Sequence, residues 1–504
     1  MNLAELVVRT AERYPDRLAV CAADAALTYR DLDRQANQLA RVLHELGVHT
    51  GARVGIWMDK SARAIIAMQA TLRLGAAYVP LDPLSPLPRL QAMVLDCSLT
   101  ALVTDKPLAA QLQSCRGVAL PAVCTAPAQL GVPWDALEHY SGAVLPPPAV
   151  TDDSLCYILY TSGSTGVPKG VCISHRNALA FITWAARALD VTPDDRLLGH
   201  APFHFDLSVF DLYGAFAAGA AVYLVPEGLA YAPERLVTFI VSHQITICYM
   251  VPSALTLLMK QGRLLEAERV PRAVICAGEP FAVSLVQQVR ERWPSVRLLN
   301  FYGPTETNVC TYYEVRSSPS DLTAIPIGQA CSGDSVWAVT PAGTPAGVGE
   351  EGELCVSGPT VMLGYWGQPP QGDKAYRTGD IVRLLPDGNY VYIGRRDGMV
   401  KVRGNRVELA EIEAVLLADR RIREAVVVVV GDGLAARLGA YIVAAPDEPI
   451  GLLEVKRLCA AKLARYMIVD WVQQVEVLPR TTSGKIDRRA LMASAPEARY
   501  GNAG

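Results

Sequence analysis

The sequence predicts an α/β protein, a large N-terminal region of parallel sheet covered by helices followed by a small α+β unit. Three observations predict it. Strand-like and helix-like segments alternate through most of the first four hundred residues, 34 prolines and 39 glycines punctuate them, and the texture changes after Arg396. The 504 residues suggest two to four folding units at ~100–200 residues each, and 51% hydrophobic content is ample for large cores.

The elements follow in order. The opening MNLAELVVRTAERYPDRLAV carries Glu5, Arg9, Glu12 and Arg13, so it lacks the basic-then-apolar layout of a secretory signal. Arg53 to Met58 reads as a short strand, Ala62 to Leu74 as a helix, Ala76 to Leu81 as a strand, Leu87 onward as a helix, and Ala101 to Thr104 as a strand. Pro146-Pro147-Pro148 reads as a local linker before the strand Leu155 to Tyr160. Beyond Asp397 come a helix near Ala410 to Leu417, strands Ala425 to Val430 and Leu438 to Val443, and an amphipathic helix Leu452 to Leu463. We therefore place a large domain over 1–396 and a small one over 397–504.

Charge and cysteine usage exclude several classes. With 47 basic and 50 acidic side chains, the net charge of −3 provides no broad basic field for nucleic acid or acidic membranes. No uncharged apolar run approaches the ~20 residues a spanning helix needs. Twelve cysteines are scattered without a C-x-x-C and without pairing to the seven histidines at metal-ligand spacing, which reads as reduced, mostly buried cytosolic thiols.

One loop has the composition to hold a phosphate. Tyr160-Thr161-Ser162-Gly163-Ser164-Thr165-Gly166-Val167-Pro168-Lys169-Gly170 directly follows an apolar strand. Glycines let backbone N–H groups turn toward an anion, four hydroxyls add donors, and Lys169 adds charge. Lys169 stands three residues after Gly166 with Pro168 before it, which fails the Walker A pattern and disfavours an ordinary P-loop kinase or GTPase. The alternative is a plain Ser/Gly surface turn.

Nine segments in order resemble the amino-acid adenylation enzymes of nonribosomal peptide synthesis, within the adenylate-forming superfamily. They begin with Leu27-Thr28-Tyr29-Arg30-Asp31-Leu32, the run Leu74 to Pro83, the loop above, and Phe205-Asp206-Leu207-Ser208-Val209-Phe210. They continue with Asn300-Phe301-Tyr302-Gly303-Pro304-Thr305-Glu306-Thr307 and Gly352-Glu353-Leu354. The last are Tyr376-Arg377-Thr378-Gly379-Asp380, Gly394-Arg395-Arg396-Asp397 with Lys401-Val402-Arg403-Gly404, and Thr482-Ser483-Gly484-Lys485. The resemblance implies a large region of several subdomains with a small β-barrel-like part, and a mobile C-terminal domain. It also implies two half-reactions: a carboxylate attacks the α-phosphate of Mg-ATP, then a carrier-protein thiol takes the acyl group.

Each motif has a role under that resemblance. Thr161, Ser162, Gly163, Ser164, Thr165, Gly166 and Lys169 clamp pyrophosphate. Glu306, beside Thr305, supplies the hard oxygen Mg²⁺ prefers. Tyr302, next to Gly303, offers a face for adenine, and Asn300 recognises its amino edge. Asp380 accepts two hydrogen bonds from the ribose diol, with Arg395 as its neighbour. Lys485 bridges the substrate carboxylate and the α-phosphate, and is the residue expected to carry the chemistry. Asp397 is the hinge, since chemistry at Lys485 requires the domains to close. Gly398-Met399 and the proline-free Leu463 to Val469 depart from the usual pattern, the first bearing on the second conformation and the second on local structure.

Asp206 follows a helix-forming stretch, is expected to be buried near the pocket, and needs a cationic partner, which the substrate's α-ammonium supplies. A helix N-cap is its alternative role. Motif alignment lines the pocket with Phe205, Leu207, Phe210, Tyr249, Ile275, Ala277, Gly278, Phe301, Val309 and Cys310, closed by Lys485. Nothing there pairs with a charged side chain and the aromatics fill volume, so a small apolar amino acid is expected. The combination resembles free-standing proline-activating enzymes, with L-proline first and other small aliphatic amino acids behind it. Nineteen residues follow Lys485, too few for a carrier domain, so the acceptor is expected to be a separate peptidyl carrier protein bearing a phosphopantetheine arm. A coenzyme A ligase and a scaffold that has lost catalysis stay open as alternatives.

Overall fold

The structure is a computed structural model that describes residues 1–105, 121–124, 131–163, 168–316, 323–396, 399–431, 433–445, 450–480 and 486–496. The chain divides into two compact units. The first comprises Met1–Pro83, Val94–Tyr160 and Gly170–Arg396, the second Leu84–Met93, Thr161–Lys169 and Asp397–Gly504.

A nine-stranded sheet organises much of the first unit, in the order Gln329–Ala330, Thr311–Val315, Arg297–Tyr302, Ala273–Cys276, Ile247–Met250, Arg196–Gly199, Ala221–Leu224, Leu18–Cys21, Ala26–Thr28. Its centre is parallel and its edges antiparallel. Central strands such as Ile247–Met250 and Ala273–Cys276 are buried at every position, as helices on both faces of a parallel sheet require. Register sets the site. Tyr249 lies level with Ile275, and Ile275 with Leu299. The period of two then sends Tyr249, Ile275, Leu299 and Phe301 into one core while Met250, Cys276 and Leu298 enter another.

The second sheet has eight strands in the order Gly364–Tyr365, Lys169–Ser174, Leu155–Thr161, Ala77–Pro80, Arg53–Trp57, Ala101–Thr104, Ala122–Cys124, Val132–Pro133. Its crossover helix Ala62–Arg73 starts where Ser61 accepts from the Ala64 N–H at 3.2 Å and Asp24 from the Ala62 N–H at 2.8 Å. These elements agree with the sequence expectation to within a residue or two at their ends. The part expected to be barrel-like is a four-stranded antiparallel sheet with Ser335–Val339 and Tyr390–Arg395 at its edges. In it Asp380 lies directly opposite Arg395.

The second unit contains the hairpin Met399–Val402 with Asn405–Glu408 and a three-stranded sheet of Ile422–Val430, Arg437–Ala444 and Trp471–Gln474. Helices Leu409–Leu417 and Leu452–Lys462 pack Ile412, Leu416, Val455 and Cys459 into its core. The hairpin turns through Arg403 at φ 50° and Gly404 at φ 79°, the left-handed pair that matches strand twist.

Candidate active site

The site in the first unit gathers at the C-terminal ends of the parallel strands, where open α/β sheets place their ligands. Strand Arg297–Tyr302 leads into a tight turn at Gly303, where a Cβ would stand 1.9 Å from the Asn308 carbonyl oxygen, so only glycine fits. The turn closes through the Thr307 N–H on the Pro304 carbonyl at 2.9 Å and the Cys310 N–H on the Tyr302 carbonyl at 3.0 Å. It delivers Thr305 and Glu306 together.

Glu306 has no exposed surface, and its Oε1 accepts from the Tyr365 hydroxyl at 2.6 Å. Thr305 donates its hydroxyl to Asp206 Oδ2 at 2.7 Å. The sequence places Asp206 after a helix-forming stretch and buried; the structure corrects both, setting it immediately before the helix Leu207–Ala218 and half-buried. Its side chain makes no capping hydrogen bond, because its own backbone is already helical at φ −63°, ψ −27°. The carboxylate instead faces the 303–308 turn.

Beside it stands a wall of aromatic rings. Phe210 lies 6.1 Å from Tyr249, and Tyr249 5.8 Å from Phe301, all edge-on, which suits their quadrupoles. Phe181 backs Phe210 at 6.0 Å, and Trp184 backs Phe301 at 5.2 Å. Ile275, Ala277 and Val309 belong to the same apolar cluster. Gly278 adopts φ 86°, reserved for glycine, as the chain leaves strand Ala273–Cys276.

On the opposite face of the Arg297–Tyr302 strand, Asn300 donates its amide to the Pro326 carbonyl at 2.7 Å. The Tyr302 hydroxyl donates to Asp380 Oδ2, while Arg395 Nη1 donates to Oδ1 at 2.6 Å. Burial, and then the Asp380 charge, push the Tyr302 phenol far above its ordinary pKa, so it stays a donor. Each carboxylate oxygen keeps a further lone pair for a ligand hydroxyl.

Residues 7–366 match the AMP-binding enzyme family, and residues 411–485 match the AMP-binding enzyme C-terminal domain. The chain belongs to the AMP-binding enzyme family. It is 47% identical over 495 residues to the L-proline--[L-prolyl-carrier protein] ligase of Pseudomonas fluorescens, covering 97% of this chain and 98% of that protein. It is 41% identical over 513 residues to the protein of the same name from Streptomyces coelicolor, covering 97% and 95%. Its fold matches an artificially fused adenylation-PCP di-domain protein from Klebsiella oxytoca with a TM-score of 0.81 at 24% identity, covering 94% of this chain and 86% of that one.

In this AMP-binding enzyme the expected residues fall into separate groups. Asp206, Thr305, Glu306, Phe210, Tyr249, Ile275, Ala277, Phe301 and Val309 come together as described, with Leu207 packed at the edge of the cluster and Phe205 half-buried in the preceding turn. Cys310 does not join them. It belongs to another apolar cluster with Tyr302, Ile327 and Leu354, because its N–H and its thiol both turn onto the Tyr302 carbonyl at 3.0 and 3.6 Å, whereas Cys331 belongs to the cluster that holds the aromatic rings. The Tyr302 ring is likewise packed in that second cluster, at 8% exposure.

Among the residues of the phosphate loop, Ser162 donates to the Arg406 carbonyl at 2.9 Å and the Gly163 N–H to Glu411 Oε2 at 3.3 Å, all within the second unit. Arg89 of that unit pairs with Glu411 Oε1. Thr161 Oγ1 is buried without a hydrogen-bond partner among the described residues, a donor suited to a phosphate oxygen. Lys169 opens the strand Lys169–Ser174 and is half-buried. Ser164, Thr165, Gly166, Asp397 and Lys485 lie outside the described residues.

Sequence reasoning missed Phe181, Trp184, Tyr365 and Cys331. Phe181 and Trp184 sit three apart on helix His175–Ala188, an apolar stripe that periodicity alone could have shown. Nothing local marks Tyr365, whose partner is 59 residues away. Among the described residues no helix is long and apolar enough to cross a membrane.

Proposed function

We propose that this AMP-binding enzyme activates L-proline as prolyl-AMP, releasing pyrophosphate, and then transfers the prolyl group to the phosphopantetheine thiol of a separate peptidyl carrier protein. The observation that carries the reading is one half-buried carboxylate, Asp206, beside an apolar aromatic wall. A cationic amino group finds its partner there, and a charged or long side chain does not. The names of the two relatives at 47% and 41% identity support the same substrate and acceptor.

In the first half-reaction a proline carboxylate oxygen attacks the α-phosphorus, and the bond to the bridging oxygen of pyrophosphate breaks. Asp206 holds the ring ammonium and so aims the carboxylate. Asn300 and Tyr302 serve the adenine, and Asp380 with Arg395 the ribose diol. Thr161, Ser162, Gly163, Ser164, Thr165, Gly166 and Lys169 receive the departing pyrophosphate. A buried carboxylate such as Glu306 suits Mg²⁺, which takes one or two carboxylates and completes its shell with substrate phosphates. That ion would neutralise charge on the phosphates. Lys485 is assigned the negative charge shared between carboxylate and α-phosphate. In the second half-reaction the carrier thiolate attacks the acyl carbon and AMP leaves.

We assign 1–396 and 397–504 as the two domains, with Asp397 as hinge. Ten described cysteines are free, nine of them buried, which supports a reducing, cytoplasmic setting.

Amino-acid-dependent ATP–pyrophosphate exchange across the twenty amino acids tests the reading. Proline should lead; if alanine or valine outruns it, the pocket assignment fails. Loading of a holo-carrier in preference to coenzyme A tests the acceptor, and preference for coenzyme A would overturn it. Lys485→Ala should abolish adenylate formation yet spare thioester formation from supplied prolyl-AMP, and equal loss in both would refute its role.

A further inference from the structure

Strand Arg196–Gly199 ends one short connection before Asp206, and that connection is held by a lysine from elsewhere in the fold. Lys60 Nζ donates to the Gly199 carbonyl at 3.1 Å and to the His200 carbonyl at 2.6 Å, across 139 and 140 residues of sequence. Lys60 lies in the turn between strand Arg53–Trp57 and helix Ala62–Arg73. Its amide neighbours are fixed too, since Ser61 and Asp24 cap that helix.

The electrostatics support a built feature. Burial lowers the Lys60 ammonium to about 8, while the charges of Glu227 and Asp211 pull it back up. Asp211 lies on the helix Leu207–Ala218, five residues beyond Asp206, is 2% exposed, and has an Oδ2 without a hydrogen-bond partner among the described residues. A single buried ammonium therefore grips two successive carbonyls at the start of the 200–206 connection. The downstream turn is then fixed by the Phe205 N–H on the Pro202 carbonyl at 3.0 Å and the Ser208 hydroxyl on the Phe205 carbonyl at 2.6 Å.

We propose that Lys60 is a positioning residue for amino-acid recognition: by holding the Gly199 and His200 carbonyls it sets where the 200–206 connection places the Asp206 carboxylate. The inference rests on the assignment of Asp206 to the substrate ammonium. Lys60 itself need not touch substrate.

The test compares L-proline with tetrahydrofuran-2-carboxylate, which has the same ring shape but no ammonium, in ATP–pyrophosphate exchange. Lys60→Met should raise KM for proline about tenfold, leave KM for ATP within about twofold, and lower the preference for proline over the analogue about tenfold. A folding defect alone lowers both substrates equally. An unchanged preference in a folded Lys60→Met protein overturns the proposal, whatever happens to kcat. Should that variant not fold, Lys60→Gln, which keeps one donor, is judged by the same ratio. Asp206→Asn is the control: if it leaves the preference unchanged, the ammonium assignment itself is wrong, whereas a loss there with none at Lys60 refutes the positioning role alone.

Discussion

The Thr305 hydroxyl donates to Asp206 Oδ2 at 2.7 Å although 99 residues separate them. The bond joins the turn that carries Glu306 to the start of helix Leu207–Ala218, so the carboxylate read as the amino-group partner is held by the segment read as the metal and phosphate partner. Asp206→Asn should raise KM for proline about 100-fold, from loss of a charge-assisted hydrogen bond, and Thr305→Val about tenfold. Exchange kinetics at saturating ATP check both. Equal KM in Thr305→Val and wild type would show that Asp206 needs no such support.

Tyr302 and Arg395 occupy opposite oxygens of the buried Asp380 carboxylate. Tyr302→Phe removes one donor and keeps the ring, so it should cost about 1.4 kcal/mol in nucleotide binding. We expect KM for ATP to rise about tenfold with KM for proline unchanged. A rise confined to proline would contradict the ribose assignment.

Glu306 is buried with its oxygen on the Tyr365 hydroxyl. Chelation of Mg²⁺ should stop pyrophosphate exchange, and Glu306→Gln should raise the Mg²⁺ concentration for half-maximal exchange about tenfold. A Mg²⁺ titration of both proteins decides; coincident curves would remove Glu306 as the ligand.

His175 begins helix His175–Ala188 and its Nδ1 accepts the Leu3 N–H at 3.2 Å. Burial pushes its pKa down to about 4 from 6.5. The unfolded chain therefore holds an extra proton between those values, and stability falls as pH drops below 6.5 and levels off near 4, by about 3 kcal/mol at most. His175→Gln keeps an acceptor for Leu3 without titrating, and should make the slope of denaturation midpoints from pH 7.5 to 4 shallower than in wild type. His200, lowered by burial to about 3, keeps a residual slope in the variant. Parallel curves for the two proteins would exclude His175 as its source.

Gly303→Ala places a methyl group 1.9 Å from the Asn308 carbonyl. Overlap with backbone cannot be relieved by a rotamer change, so the cost should be at least about 2 kcal/mol, with loss of exchange. A variant with wild-type stability would mean the turn relaxes.

Local pattern alone encodes a good part of this protein. The alternation of strands and helices, the hydroxyl-rich loop after Leu155–Thr161, the glycine before Thr305-Glu306 and the family motifs were all legible, since propensity, turn chemistry and period act over a few residues. Tertiary structure alone decided the partners: Tyr302 on Asp380, Tyr365 on Glu306, Thr305 on Asp206 and Lys60 on the Gly199 carbonyl. It also decided sidedness, turning Cys310 away from the aromatic cluster and bringing Cys331 into it. The physical reason is the same in each case. A hydrogen bond between residues 59 to 139 apart, or the face a residue presents after a turn, depends on sheet order and register, which no local window of sequence contains.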